Sequence, residues 1–174
     1  MLTLVLREPR LDEAKILNDW RNDSESRLYN SPIEYEKTLR RLKEAGYDFA
    51  DEGRSEYCWI VECECRPRGA VLVKNIDWRA GTGELGYVTA TESRGKGIGS
   101  LAVRMLVEKI FSESSLIKLI AYTKIGNEKS SKILDRIGFR QGVAQTAQDL
   151  ILVSSYFTNL LVPRGAAVRD LPHN

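Results

Sequence analysis

The sequence predicts a mixed α/β domain: a mostly antiparallel sheet of about six or seven strands, flanked by about four helices. Three observations lead there. Short alternating apolar runs recur along the chain, and between them lie segments with helical spacing. Their order reads β-α-α-β-β-β-α-β-α-β-β, so hairpin connections give way to strand–helix–strand connections midway. The chain has 174 residues, the length of one domain and enough to bury a core.

The elements follow in order. Leu2 to Arg7 is a strand. Leu11, Ala14, Ile16, Leu17 and Trp20 form the apolar stripe of a helix. "SPIE", Ser31 to Glu34, is a helix start, with Ser31 as N-cap, Pro32 at the first helical position and Glu34 closing a capping box. That helix runs to about Ala45, and Gly46 ends it. Tyr57, Trp59 and Val61 share one face of a strand ending at Cys63. Gly69 to Asp77 is the next strand, with "RPRG" as the turn before it, and Gly83 to Thr89 follows the "RAGTG" turn. These three strands are expected to form an antiparallel meander. A helix from about Gly97 to Phe111 comes next, then a strand from Lys118 to Thr123 and a helix from Asn127 to Ile137. Gly138 suits the position just past that helix. Phe139 opens another strand, and Asp149 to Phe157 is the last; no internal repeat is present.

Composition bounds the function. Hydrophobic residues make up 43% and charged residues 29%, which fits a folded globular chain. The net charge of +2 gives no reason to expect nucleic acid or an anionic membrane as partner. The cations are not clustered on one helix, and aromatics do not interleave with them. No apolar run reaches a membrane span, and the start, "MLTLVLREPR", lacks the basic region and long apolar core of a signal peptide. Cys58, Cys63 and Cys65 are odd in number, and the single histidine is His173 near the end. That set suits neither a disulfide framework nor a zinc site. It reads as reduced thiols in a cytoplasmic protein with no bound metal. Residues 1–160 read as a single domain. "LVPRG", Leu161 to Gly165, matches a protease-recognition linker used in expression work, so Leu161 to Asn174 reads as a tail outside the functional part.

The stretch that carries chemistry is "SRGKGIGS", Ser93 to Ser100. Three glycines alternate with Arg94, Lys96 and Ile98 between a strand and a helix. A helix start has unpaired backbone N–H groups and a partial positive charge. Glycines let a ligand approach that backbone, and the two cations add formal charge. The combination suits a pyrophosphate. The spacing is that of neither a P-loop nor a dinucleotide fingerprint.

"RGKGIG" fits the pattern [QR]-x-x-G-x-[GA] that opens the main helix of GCN5-related N-acetyltransferases, the GNAT superfamily. "NEKSSKILDRIGF" fits the N-x-x-S…G-F element of its ribosomal-protein and polyamine acetyltransferase branch, and "ELGYV" fits the strand before the glycine loop. Together these segments span Glu84 to Phe139 in the family's order, so the chain resembles that branch. The resemblance implies the GNAT fold and acetyl-CoA as cosubstrate, with its pyrophosphate on the amides of Arg94, Gly95, Lys96, Gly97, Ile98, Gly99 and Ser100.

Acetyl transfer to an amine needs a proton acceptor, a donor to the developing oxyanion and a proton for the leaving thiolate. Glu84 is the candidate base. It shares a strand face with Gly86 and Val88, and Gly86 is expected to leave room for substrate; the alternative is a glutamate at a strand edge in water. The resemblance implies that the backbone of Tyr87, Val88 and Thr89 holds the pantetheine arm, with the Val88 amide, to within one residue, as oxyanion donor. Ordinary sheet pairing is the alternative. Asn127 is an N-cap, and the resemblance adds a contact to the cofactor arm. Ser130 lies on the apolar face with Ile133, Leu134 and Ile137. It could bond back to its own helix; because Leu134 stands where many relatives carry a tyrosine acid, the resemblance moves the acid role to Ser130 or to water. "DWRND", Asp19 to Asp23, and Tyr29 are acceptor-site candidates whose acids would draw a cationic amine, or simply a solvated helix end. The expected activity is N-acetylation of a primary amine by direct attack in a ternary complex. The amine is either a protein N-terminus or a small molecule such as a polyamine, amino sugar or antibiotic. The alternative is a non-catalytic acyl-CoA-binding module. Monomer and homodimer both stay open.

Overall fold

The computed structural model describes residues 3–50, 53–141 and 150–155, with residues 141 and 150–155 as backbone only. The expected strand ends at Leu2, Asp149 and Phe157, and the tail from Leu161 to Asn174, lie outside the described residues.

The chain runs β1 (Leu4–Arg7), α1 (Ala14–Asn22, entered through a 3-10 turn at Leu11–Glu13), α2 (Ser24–Tyr29), α3 (Tyr35–Glu44), β2 (Tyr57–Cys63), β3 (Arg66–Asp77), β4 (Thr82–Thr89), α4 (Ile98–Glu113), β5 (Lys118–Lys124), α5 (Glu128–Ile137), β6 (Arg140–Gln141) and β7 (Leu150–Ser155). All seven strands form one sheet in the order β1-β2-β3-β4-β5-β7-β6. Every pairing is antiparallel except β4 with β5. The expected meander is β2-β3-β4.

The sheet is covered on both faces. On one, Trp59, Val71, Val73 and Leu85 pack against Ile98, Ala102, Leu106 and Ile110 of α4 and Leu134 and Ile137 of α5. On the other, Ala14, Leu17 and Trp20 of α1 and Leu42 of α3 cover Cys58, Ile60, Ala70 and Ala90. The two sets alternate along each strand, as period-two burial on both faces requires. At the sheet edge Glu13, only 4% exposed, is held by Arg7 and Arg10. Burial disfavours its charge, but these donors outweigh that and hold its carboxyl below the ordinary value.

Three local readings need correction. Helix α3 starts at Tyr35 with Glu34 as its N-cap, not at Pro32 with Ser31 as N-cap. The Ser31–Glu34 segment is held extended by α1: Ile33 N–H donates to Asn22 Oδ1 at 2.9 Å, and Ile33 C=O accepts from Asn18 and Asn22 at 3.0 and 2.7 Å. Second, the turn between β2 and β3 is Glu64–Cys65, with Cys63 paired to Arg66. Both turn residues have positive φ, 53° and 57°, the signature of a type I′ hairpin. "RPRG" instead belongs to β3, where the register shift between Val61 and Glu62 leaves Arg68 as the extra residue next to Pro67. That accommodates a residue with no N–H to give. Third, α2 was not foreseen; the Asp23 carboxylate caps it by accepting from Ser26 N–H at 2.8 Å.

Candidate active site

The parallel junction is short. β4 and β5 pair from Thr82↔Lys118 to Leu85↔Ala121 and no further, although β4 runs on to Thr89 and β5 to Lys124. Along that extra length β4 pairs only with β3, from Leu72↔Gly86 to Gly69↔Thr89. The Ala90 N–H donates to the Arg68 carbonyl of the β3 segment at 2.8 Å. Backbone groups alternate sides along a strand. Those of Gly86 and Val88 therefore face β3, and those of Tyr87 and Thr89 face the gap beside β5. The Val88 amide lies in the β3 ladder, which moves the open donors one residue to either side of it. The Thr89 carbonyl accepts from Arg94 Nε at 3.2 Å.

The glycine loop stands at the mouth of this gap. Gly95 and Gly97 have φ of 73° and 78°, and a Cβ built on either would meet nothing within 4 Å. These two glycines answer a backbone requirement and leave open space over the loop. Gly99 differs: its Cβ would lie 2.8 Å from Thr89 Oγ1, so it lets α4 close onto β4. The amides of Ile98, Gly99 and Ser100 open α4 and have no intrahelical acceptor. Lys96 is exposed and makes no ion pair among the described residues.

Arg94 is not a free cation. Its guanidinium binds Asp23 Oδ2, Glu25 Oε2 at 3.2 Å and Ser26 Oγ at 3.2 Å. Asp23 also accepts from Thr91 Oγ1 at 2.8 Å. Burial works against ionising Asp23, but the bonds from Arg94, Ser26 and Thr91 outweigh it and hold its carboxyl down to about 2. Glu25 also pairs with Lys129 of α5 at 2.8 Å, and at the other end of α2 Tyr29 Oη donates to the carbonyl of Gly126, just before α5, at 3.4 Å. Asp19 pairs with Lys15. The acids expected to attract a cationic amine are therefore already neutralised.

Ser130 is met from two directions. Its N–H donates to Asn127 Oδ1 at 3.3 Å, so Asn127 is the N-cap of α5. Its Oγ accepts from Tyr87 Oη at 2.9 Å across the sheet–helix boundary. Leu134 is 1% exposed and belongs to the core. The sequence points only to the backbone of Tyr87; the structure adds its side chain to the site. Its alternation with Leu85 and Thr89 on the α4–α5 face is the signal that places it there.

Glu84 lies on the paired part of β4, opposite Ile120. Its Oε1 accepts from Lys74 Nζ at 2.8 Å and its Oε2 from Asn75 Nδ2 at 2.7 Å. Asn75 reaches it from a left-handed kink, φ 50°, where the β3–β4 register shifts. Gly86 does not open a void, because Leu72 Cδ1 lies 3.2 Å from where its Cβ would be. Cys58 is buried, and that burial, with Glu56 adding to it, pushes its thiol up to about 12; Cys65 is exposed in the hairpin turn. No group of three or more metal-ligating side chains occurs among the described residues. No helix there is long and apolar enough to cross a membrane.

A mixed sheet whose single parallel pair comes apart beside a glycine-opened helix defines the N-acetyltransferase class of fold. The chain belongs to the acetyltransferase (GNAT) domain family, whose model matches residues 3–140. YdaF of Bacillus subtilis strain 168, named for ribosomal N-acetylation, is 38% identical over 71 residues, which span 41% of this chain and only 39% of YdaF. The N-acetyltransferase p20 of Bacillus licheniformis is 27% identical over 141 residues, 79% of each chain. Among solved structures, spermidine N-acetyltransferase from Vibrio cholerae in complex with CoA and spermine superposes with a TM-score of 0.75 at 17% identity, covering 90% of this chain and 98% of that one. At that identity the likeness is one of fold.

Proposed function

We propose that this protein transfers the acetyl group of acetyl-CoA to a primary amine by direct attack in a ternary complex. The observation that carries the reading is the gap where β4 leaves β5, with the Tyr87 and Thr89 amides facing it and the unpaired amides of α4 at its mouth. The residues fit the cosubstrate. Open space over Gly95 and Gly97, the amides from Gly95 to Ser100 and the Lys96 cation suit a pyrophosphate. The Tyr87 and Thr89 backbone and Asn127 suit the amide-bearing arm.

Bound acetyl-CoA supplies an acetyl group already activated as a thioester. An amide N–H at Tyr87 or Thr89 stabilises charge on the carbonyl oxygen. Glu84 takes the proton that the amine must lose. Because both its oxygens already have donors, it acts through its remaining lone pairs and a bridging water. Ser130 gives a proton to the departing sulfur, and solvent returns one to Ser130 and removes one from Glu84. A C–N bond forms and a C–S bond breaks; an amine that enters neutral gives no net change in protons, and one that enters as ammonium first releases one further proton to solvent. The neutralised acids near α2 favour an acceptor other than a polycation: a protein α-amine or a small monoamine. The three free thiols fit work in a reducing cytoplasm.

A non-catalytic acyl-CoA-binding role is the second reading, favoured by Leu134 in place of an acid and by the occupied oxygens of Glu84. Calorimetry with acetyl-CoA and thiol release against a panel of peptide N-termini, amino sugars and polyamines separate the two. Tight binding with turnover on a peptide or monoamine supports the enzyme. Tight binding with no turnover on any amine establishes the module, and no binding refutes both.

A further inference from the structure

We infer that Tyr87 is a positioning residue for the leaving-group proton: its phenol holds the Ser130 hydroxyl so that the serine proton points away from the helix and into the gap. The inference rests on the acid role proposed above for Ser130.

A serine in the first turn of a helix has competing uses for its hydroxyl, including bonds to nearby backbone carbonyls. In this protein the neighbouring serine does this: Ser131 Oγ donates to Asn127 C=O at 3.2 Å. Ser130 does not. Its backbone is fixed by Asn127 Oδ1, and its Oγ lies 2.9 Å from Tyr87 Oη, which donates to it. An oxygen that accepts from a phenol keeps its own O–H for a third group. Tyr87 is itself well placed. It lies on β4 just past the last β4–β5 pair, with its backbone facing the gap and its ring packed against the core under α4 and α5. Burial pushes its phenol above the ordinary value, so it remains a neutral donor. Tyr87 is therefore unsuited to supply the proton; it orients the group that does.

Leu134 makes the arrangement intelligible. It is sealed in the core and has no proton to offer, so the polar link from sheet to α5 passes through Tyr87 and Ser130.

The test combines kinetics with a binding measurement that needs no turnover. Tyr87→Phe keeps the ring and removes only the hydroxyl. With acetyl-CoA, Tyr87→Phe should lower kcat roughly tenfold while the KM for acetyl-CoA stays within about threefold. Ser130→Ala should lower kcat by at least as much. The double variant should be no slower than Ser130→Ala alone, because Tyr87 acts only through that serine. In calorimetry, wild type should prefer CoA to desulfo-CoA. Ser130→Ala should abolish that preference, and Tyr87→Phe should remove most of it. Additive rate losses, or a Tyr87→Phe variant with wild-type kcat and wild-type sulfur preference, would overturn the inference. If Ser130→Ala itself keeps both rate and preference, the acid assignment of the proposed function is what has failed. Should Tyr87→Phe prove unstable, Ser130→Cys gives a second reading. Its more acidic proton should retain more activity than alanine in a wild-type background, and equal rates for the two would also refute the placement.

Discussion

At the scale of single residues, the site is decided by which polar groups are already engaged. Glu84 has donors on both oxygens, yet it remains the carboxylate on the strand that opens the gap. Glu84→Gln keeps its shape and removes the base. The expected result is a fall in kcat of roughly 10²-fold or more, with CoA affinity within a few-fold. The deficit should shrink at high pH, where more of the amine is already neutral. Steady-state kinetics across pH with the true acceptor test this, and a wild-type rate at neutral pH would remove Glu84 from the chemistry. Arg94 teaches the opposite lesson. A cation in a glycine loop reads as a phosphate ligand, but here it faces backwards onto Asp23 and Glu25. Nothing in the loop itself shows this, because both partners lie about seventy positions away in the chain.

At the scale of elements, the glycine loop separates conformation from packing. Gly97→Asp places a side chain in open space at a φ of 78°, so the fold should survive at a cost of about 1–2 kcal/mol. The added negative charge at the loop should abolish CoA binding in calorimetry. Gly99→Ala meets Thr89 Oγ1 at 2.8 Å and should cost about 1–3 kcal/mol, read as a lower Tm. Thr89→Ala in the same chain should recover much of it. Helix α2 depends on charge. The folded carboxyl of Asp23, at about 2, lies below its unfolded value of about 3.9. Its contribution, about 2 kcal/mol, is full above that unfolded value and is lost as pH falls toward 2. Asp23→Asn should therefore lower Tm at neutral pH, and the gap from wild type should narrow steadily between about pH 4 and pH 2. The meander was legible because alternation is a local signal. Helix α2 was not, since six residues held by distant ion pairs carry no period of their own. "SPIE" misled because its capping pattern is genuine locally, but Asn18 and Asn22 compete for the same backbone. The β2–β3 turn was misplaced because Glu64 and Cys65 adopt a conformation usually taken by Asn-Gly.

At the scale of the whole molecule, the sheet is two antiparallel portions joined by one parallel seam of four residue pairs. The strands in their order along the chain, and every helix but α2, were legible in the sequence, while only the resemblance pointed to the Tyr87–Thr89 stretch where the gap lies. The depth of the gap was not legible, because it depends on where two strands stop pairing. Hydrogen exchange should find the β2–β3 ladder slowest and the Lys118–Ala121 seam faster, and CoA should protect Tyr87 and Thr89 selectively. Protection spread evenly over β4 would contradict the assignment of the open amides. The seam also imposes an order of assembly. β2, β3 and β4 are joined by short turns and can close as hairpins within about 1–10 μs. β5 reaches β4 only after the α4 crossover has formed, a more distant and slower encounter. The seam should therefore be among the last contacts made during refolding, so a chain emerging from the ribosome would have its meander in place well before it could enclose any cosubstrate.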